Sequence, residues 1–331
     1  MKKFRSFRLA ILIMAVGLVL AACGNSGSNE GSNKGSNQGG ENAPAETKAE
    51  TRMWTDGIGR EVEIPVKPQR IITTQYLPEM LALDVKPIGA AKHLLTNFAS
   101  VEGKIDGVED LGSVNEFNVE KALVLNPDLI IAMEGNDELI SKLSKIAPTV
   151  VVKWDQKDAF EHLKDTADVL GIPEKAEKWI ADYNQKVEQT KEKLKSVVSP
   201  DETFGAVVIG GFKDKQLRVY ADQNVGYTLF KALDFPMTDA VKKEWEKEAR
   251  PLGMDISMEM LPQFASADRL FVVQFDNGPE FLKQVLESSL WKDLPAVKNN
   301  KVYTLQNALW FPLDVLSLDQ QLDDAVKLLT Q

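Results

Sequence analysis

Residues able to do chemistry are present in this 331-residue chain, but their spacing nominates no catalytic centre. It has no Gly-x-Ser-x-Gly elbow, no Gly-x-x-x-x-Gly-Lys-Ser/Thr phosphate loop, no His-Glu-x-x-His pair and no Gly-x-Gly-x-x-Gly turn. The two histidines, His93 and His162, lie 69 positions apart, and His162 falls on an amphipathic stretch beginning near Asp158, which predicts a surface helix position. One cysteine and two imidazoles are too few for a dedicated transition-metal cage, which favours several such ligands. Carboxylates are abundant, so composition allows a glycosidase-type pair, but no spacing singles one out.

The better-placed chemistry follows strand-like apolar runs. Gln75-Tyr76, Lys92-His93, Asn115, Trp154, Lys213, Phe275 and Trp310-Phe311 all stand just after such runs. In open α/β sheets ligands bind at the carboxyl ends of the strands, so this set of aromatic and polar residues predicts a shared small-molecule site.

The elements that must position these residues alternate between two kinds. Apolar runs at 70–74, 87–91, 109–112, 129–132 and 149–152 predict strands in a first half, and runs at 205–209, 217–220, 270–273 and 302–305 predict them in a second. Runs this apolar suit sheets covered on both faces. Phe160, Leu163, Ala167 and Leu170 repeat at helical spacing; after the Gly171-Ile172-Pro173 break, so do Ala176, Trp179, Ile180, Tyr183, Val187 and Leu194. The second helix, about 174 to 197, is expected to be a stiff connector between two lobes. The halves echo each other: Glu120 precedes Asp128 and the run 129–132, much as Glu259 precedes Asp268 and the run 270–273.

The N-terminus is built for export. Lys2, Lys3, Arg5 and Arg8 precede an apolar run from Leu9 to Leu20 and small residues before Cys23. That run is about a dozen residues, short of the roughly 20 that span a bilayer. Leu20-Ala21-Ala22-Cys23 resembles the bacterial lipobox, which implies cleavage before Cys23 and lipid attachment at its thiol. A Gly/Ser/Asn-rich stretch follows, lacking apolar residues to bury and expected to be a flexible tether. The expected organisation is a signal peptide (1–22), a lipidated cysteine with linker (23–52), an N-terminal lobe (53–157), a helical segment (158–198) and a C-terminal lobe (199–331). Removing the four basic residues of the signal from 39 leaves 35 against 49 acidic ones, a formal charge of −14. Such an acidic body does not suit nucleic acid, whose phosphates need clustered Lys and Arg.

The segments KPQRII (67–72), LALDVKPIG (81–89), DLG (110–112), NVE leading to NPDLIIA (118–132), LSKIAPTV (143–150) and LWKDLPAVKNNKVY (290–303) resemble the substrate-binding lipoproteins of iron-siderophore and vitamin B12 ABC importers. The resemblance covers roughly 60 to 330. It implies two α/β lobes, each a central sheet flanked by helices, joined by one long interlobe helix, with the ligand in the cleft between them. It implies a monomeric, non-catalytic receptor, lipid-anchored on the extracytoplasmic face of the membrane, with no cofactor: a ferric siderophore is the ligand and an ABC permease dimer the partner. Because iron arrives already wrapped, no direct metal ligand is expected. The ligand contacts expected by position are Tyr76, His93, Asn115, Trp154, Arg218, Tyr220, Arg250 and Trp310. Glu120 and Glu259 match two lobe-surface glutamates that dock onto permease arginines. The family pattern is departed from at Tyr227, where many hydroxamate binders carry arginine, and at 311–314, where a glycine-rich turn is usual. The acidic body favours a hydroxamate or mixed citrate-hydroxamate chelate over a tris-catecholate. Haem or cobalamin is the alternative ligand; a sensor domain or a lipid-anchored cell-wall hydrolase is the alternative role.

Overall fold

In the computed structural model, which describes residues 50–331 apart from 156, 212, 214, 248–252, 276 and 277, all nine apolar runs become strands. The export segment, Cys23, the Gly/Ser/Asn stretch and Arg250 lie outside the described residues. In chain order the strands are β1 (Thr51–Thr55), β2 (Glu61–Pro65), β3 (Ile71–Thr73), β4 (Gly89–Ala90), β5 (Glu109–Asp110), β6 (Leu129–Met133), β7 (Thr149–Val152), β8 (Phe204–Ile209), β9 (Leu217–Tyr220), β10 (Met254–Asp255), β11 (Arg269–Gln274) and β12 (Val302–Leu305).

Two five-stranded sheets result. The first has the order β5-β4-β3-β6-β7 and is parallel throughout; the second has the order β10-β9-β8-β11-β12. In the second, β8, β11 and β12 are parallel, whereas β9 and β10 alternate in direction, β9 lying antiparallel to β8. The echo read in the sequence is therefore an echo of topology. Asp128, ahead of β6, accepts hydrogen bonds from the backbone N–H of Gln69 (2.7 Å) and Arg70 (2.9 Å), pinning the entry to β3. Asp268, ahead of β11, accepts from Thr203 N–H and hydroxyl, both 2.8 Å, pinning the entry to β8.

Side chains alternate across a strand, so each sheet buries two faces. Ile71, Ile131, Val150, Val208, Phe271 and Val273 all join one core, which runs through both sheets and includes Tyr183, Val187 and Leu194 of the helix Pro173–Leu194. Their neighbours Ile72, Ile130, Val207 and Val272 face outward into separate cores under flanking helices. Full burial of such residues contributes roughly 1.5–3 kcal/mol each, and placing them in a common core makes the 22-residue helix, about 33 Å long at 1.5 Å per residue, a structural bridge. The preceding helix, Ala159–Leu170, starts with a capping box between Asp158 and Glu161 and ends at Gly171, whose φ of 71° only glycine adopts cheaply. Pro173 at the first turn then starts the bridge.

Two features run beyond the sequence reading. β1 and β2 form an antiparallel hairpin whose Trp54 indole donates to Asp168 (2.7 Å), and Ile64 of β2 is fully buried in the shared core. The C-terminal helix Val315–Leu329 also crosses between lobes: the Ser317 hydroxyl donates to that of Ser100 at 3.0 Å and the Gln320 amide to the Ser100 carbonyl at 3.2 Å.

Candidate functional site

The N-lobe group gathers behind β3, β4, β6 and β7. Trp154, half-buried, stacks on the His162 imidazole with centroids 4.2 Å apart and planes 18° from parallel. His162 Nε2 bonds the Trp154 carbonyl at 3.1 Å, and the Glu134 carboxylate accepts from the N–H of Trp154 (2.8 Å) and Asp155 (2.9 Å). The loop after β7 is thus held from both sides, which fixes the indole. His162 is only 2% exposed, so its expected surface position is corrected: with Ala159, Leu163, Thr166 and Ala167 it forms the inward face of its helix. Burial pushes its pKa down, the bond to the Trp154 carbonyl partly opposing this, so it serves as a neutral platform. His93, half-buried, meets Gln75 Oε1 through Nε2 at 3.1 Å, and burial lowers its pKa too. Asn115 is exposed in the loop after β5.

The C-lobe group lies on the face of β9 turned toward the shared core. Because β9 is antiparallel to β8, its start lies beside the carboxyl end of β8, with Leu217 opposite Ile209. Arg218 and Tyr220 stand on the same face, the guanidinium 6.0 Å from the Tyr220 ring centre. Arg218 Nε donates to Asp255 at 2.7 Å; that hydrogen bond raises the guanidinium pKa further and holds the Asp255 carboxyl at about 2. Lys213 adds a second cation 3.5 Å from the same carboxylate. Phe311 meets Phe275 and Tyr220 edge-on at 5.1 and 6.2 Å, and its carbonyl accepts from the Asn224 amide at 2.8 Å. Phe275 and Phe311 stood among the loop residues after strands without being expected as ligand contacts; Glu134 and Asp255 were not expected as ligand contacts either. The aromatic pair was legible as loop residues after strands; the two carboxylates, paired across 20 and 37 positions, had no local signal.

Three expected contacts sit deeper than a ligand wall requires. Tyr76 and Trp310 have no exposed surface: the Tyr76 hydroxyl donates to the Val152 carbonyl (2.7 Å) and the Trp310 indole to Asp324 (2.7 Å), beside Phe271. Both pack in the core with these polar atoms bonded to protein partners. Tyr220, 2% exposed, supports Arg218 and Phe311 from behind. Half-buried or exposed, and so available, are His93, Asn115, Trp154, Arg218, Gln75, Phe275 and Phe311.

Glu120 and Glu259 occupy matching places outside the sheets. Glu120 lies exposed in the first turn of Val119–Val124, capped by Asn118, whose side chain accepts from Lys121 N–H at 2.8 Å. Glu259 lies exposed in the short turn Met258–Met260 that leads into Leu261–Phe264; a hydrogen bond from Ser257 lowers its pKa. Three of the large apolar side chains most open to solvent, Leu123, Val124 and Met260, flank these glutamates. A cavity of about 450 Å³ bordered by Met254, Asp255, Met260 and Phe264 lies at the β10 edge. Among the described residues no group of three or more His, Cys, Asp or Glu could hold a metal ion, and no helix is long and apolar enough to cross a membrane.

Comparison with known proteins agrees with this architecture. The family model described as periplasmic binding protein matches residues 72–309. The iron(3+)-hydroxamate-binding protein FhuD of Bacillus subtilis is 36% identical over 274 residues, covering 82% of this chain and 84% of its own. The probable siderophore-binding lipoprotein YfiY of the same organism is 29% identical over 321 residues, covering 94% and 93%. A crystal structure of a FhuD fold-family periplasmic binding protein component of a ferrichrome ABC transporter, also from B. subtilis, superposes with a TM-score of 0.74 at 34% identity, covering 84% of this chain and all of the other. With two sheets joined through the helix Pro173–Leu194, and a family model that spans both, this chain belongs to the periplasmic binding protein family.

Proposed function

We propose that this protein is a non-enzymatic, extracytoplasmic receptor that captures a ferric hydroxamate siderophore in the cleft between its lobes and delivers it to an ABC importer. The observation that carries the ligand class is the paired state of the cationic wall. Three singly charged hydroxamates neutralise ferric iron, whereas three doubly charged catecholates leave a trianion that needs converging free cations. Here Arg218 and Lys213 already share Asp255, and burial keeps His93 neutral, so this described part of the wall presents hydrogen-bond donors and aromatic faces rather than converging free cations. Trp154, Phe275 and Phe311 supply apolar surface for the organic shell; Arg218, His93, Gln75 and Asn115 supply polar contacts. The identity to a hydroxamate-binding relative supports the same choice.

Delivery is assigned to Glu120 and Glu259. A two-fold permease presents the same cation twice, and a pseudo-symmetric receptor answers with the same anion twice. Attachment at Cys23, leaving a monomer tethered through the Gly/Ser/Asn stretch, completes the reading and is supported by the lipoprotein relative. Titrating the purified protein with iron-loaded hydroxamate, citrate and catecholate chelates, followed by tryptophan fluorescence, tests the ligand. Saturable change with a hydroxamate and weaker response to a tris-catecholate is expected; silence across the panel, or a Soret shift on adding haemin, overturns it. Charge reversal at Glu120 and Glu259 is expected to abolish uptake with ligand affinity unchanged, and Cys23→Ala to release the protein from the membrane.

A further inference from the structure

Where the helix Leu77–Ala82 packs against the C-terminal helix Val315–Leu329, two acidic side chains are buried. Glu79 sits in the helix Leu77–Ala82 that follows β3, and Asp314 caps the C-terminal helix Val315–Leu329 of the opposite lobe. They are 1% and 3% exposed. Among the described residues no donor reaches either oxygen of Glu79 or Oδ2 of Asp314, and neither carboxylate makes an ion pair. Among the described residues no cation acts on either carboxylate. Tyr76, beside Glu79, spends its hydroxyl on Val152; Ser317 and Ser100 bond each other; from the helix Ala159–Leu170, His162 lies 6.0 Å from the Tyr76 ring and Asp165 acts on the Tyr76 phenol. Lys175 serves the far end of the Glu79 helix, at the Leu83 carbonyl and Asp84.

Two buried anions without donors are costly twice over, through lost hydration and through mutual repulsion. The inexpensive solution is one negative charge instead of two. Asp314 is the better anion, since its Oδ1 accepts the Ser317 N–H at 2.9 Å at a helix start, whereas no other described residue donates to Glu79. We propose that Glu79 and Asp314 hold one proton between them, with Glu79 as the protonated member, and that this proton makes the contact between the two lobes dependent on pH. Burial, then the charge of Asp314, pushes the Glu79 carboxyl up to about 8, and burial raises Asp314 as well. The pair titrates as a unit.

The sign follows from linkage. A carboxyl that binds its proton more tightly when folded contributes most below the unfolded value near 4.5, and that contribution is lost as pH rises toward 8. Urea unfolding of the full chain and of Glu79→Gln, measured from pH 4.5 to 9, isolates it. The ratio of the two unfolding constants is expected to shift against the wild type by up to about tenfold per pH unit between 5 and 7.5, then level off. Infrared spectroscopy of the wild type at pH 6 is expected to show the carbonyl stretch of a buried protonated carboxyl that Glu79→Gln lacks, a readout that stands even where the variant folds poorly. Parallel pH curves, or absence of that band, overturns the proposal. So does the opposite slope, with stability rising with pH and with added calcium or potassium, which would mean that the carboxylates hold a cation instead.

Discussion

Replacing Tyr76 by phenylalanine asks whether that residue belongs to the ligand wall or to the frame behind it. The ring is fully buried and keeps its neighbours, Trp154 at 6.2 Å and His162 at 6.0 Å, so the substitution opens almost no cavity. What it removes is one hydroxyl donating at 2.7 Å to the Val152 carbonyl at the end of β7. A hydrogen bond contributes about 0.5–1.5 kcal/mol net, and a buried acceptor left without its donor costs more, so a loss of about 1–2 kcal/mol is expected. In a domain of this size that lowers the melting temperature by about 2–6 °C. Urea and thermal unfolding measure the loss, and chelate titration of the same sample measures affinity, which is expected to change less than twofold. Unchanged stability combined with a tenfold or greater loss of affinity would refute the assignment and return the Tyr76 hydroxyl to the ligand.

The remaining predictions concern the frame. Glu202 accepts from Arg269 Nε at 3.0 Å and pairs with Lys301; burial alone would raise its carboxyl, but the bonds from Lys301 and Arg269 prevail and hold it at about 2. A folded value below the unfolded one contributes stability above pH 4.5 that disappears as pH falls toward 2, so the advantage of wild type over Glu202→Gln, about 1–3 kcal/mol near neutrality, should vanish over that window in acid unfolding. Asp128→Ala and Asp268→Ala each delete two hydrogen bonds at a strand entry and are expected to cost about 1–2 kcal/mol apiece by chemical denaturation. The two clips serve different sheets, so their costs should add to within about 0.5 kcal/mol in the double variant; marked non-additivity would show that the lobes do not fold as separately pinned sheets.

Much of this protein is written in local pattern. The nine predicted strands are legible because both faces of each sheet are covered, which demands nearly continuous apolar runs such as Leu129–Met133 and Phe204–Ile209. The bridge helix is legible because its buried stripe, Ala176, Tyr183, Val187 and Leu194, keeps helical spacing after a Gly-Ile-Pro break. Glu120 and Glu259, each ahead of an aspartate that opens a strand, are legible as a repeat, and the structure gives the aspartates their identical task.

Other features depended on partners far away along the chain. The β1–β2 hairpin carries few apolar residues, and Trp54 finds Asp168 across 114 positions; β10 is two residues long and exists through its pairing with β9. The antiparallel course of β9, the neutralisation of Arg218 by Asp255 and the burial of Tyr76 and Trp310 carry no periodic signal, whereas His162 keeps helical spacing with Ala159, Leu163, Thr166 and Ala167 but, as a polar residue, does not read as part of the buried face. An aromatic residue after a strand reads the same whether a second lobe covers it or leaves it open. Composition and spacing therefore determined the two-lobe frame and the positions where a site could form. Which of those side chains stay open and which are covered, and that Glu79 and Asp314 are both buried, was decided only when the C-terminal helix crossed back onto the first lobe, because burial is a property of the assembled surfaces and not of either segment alone.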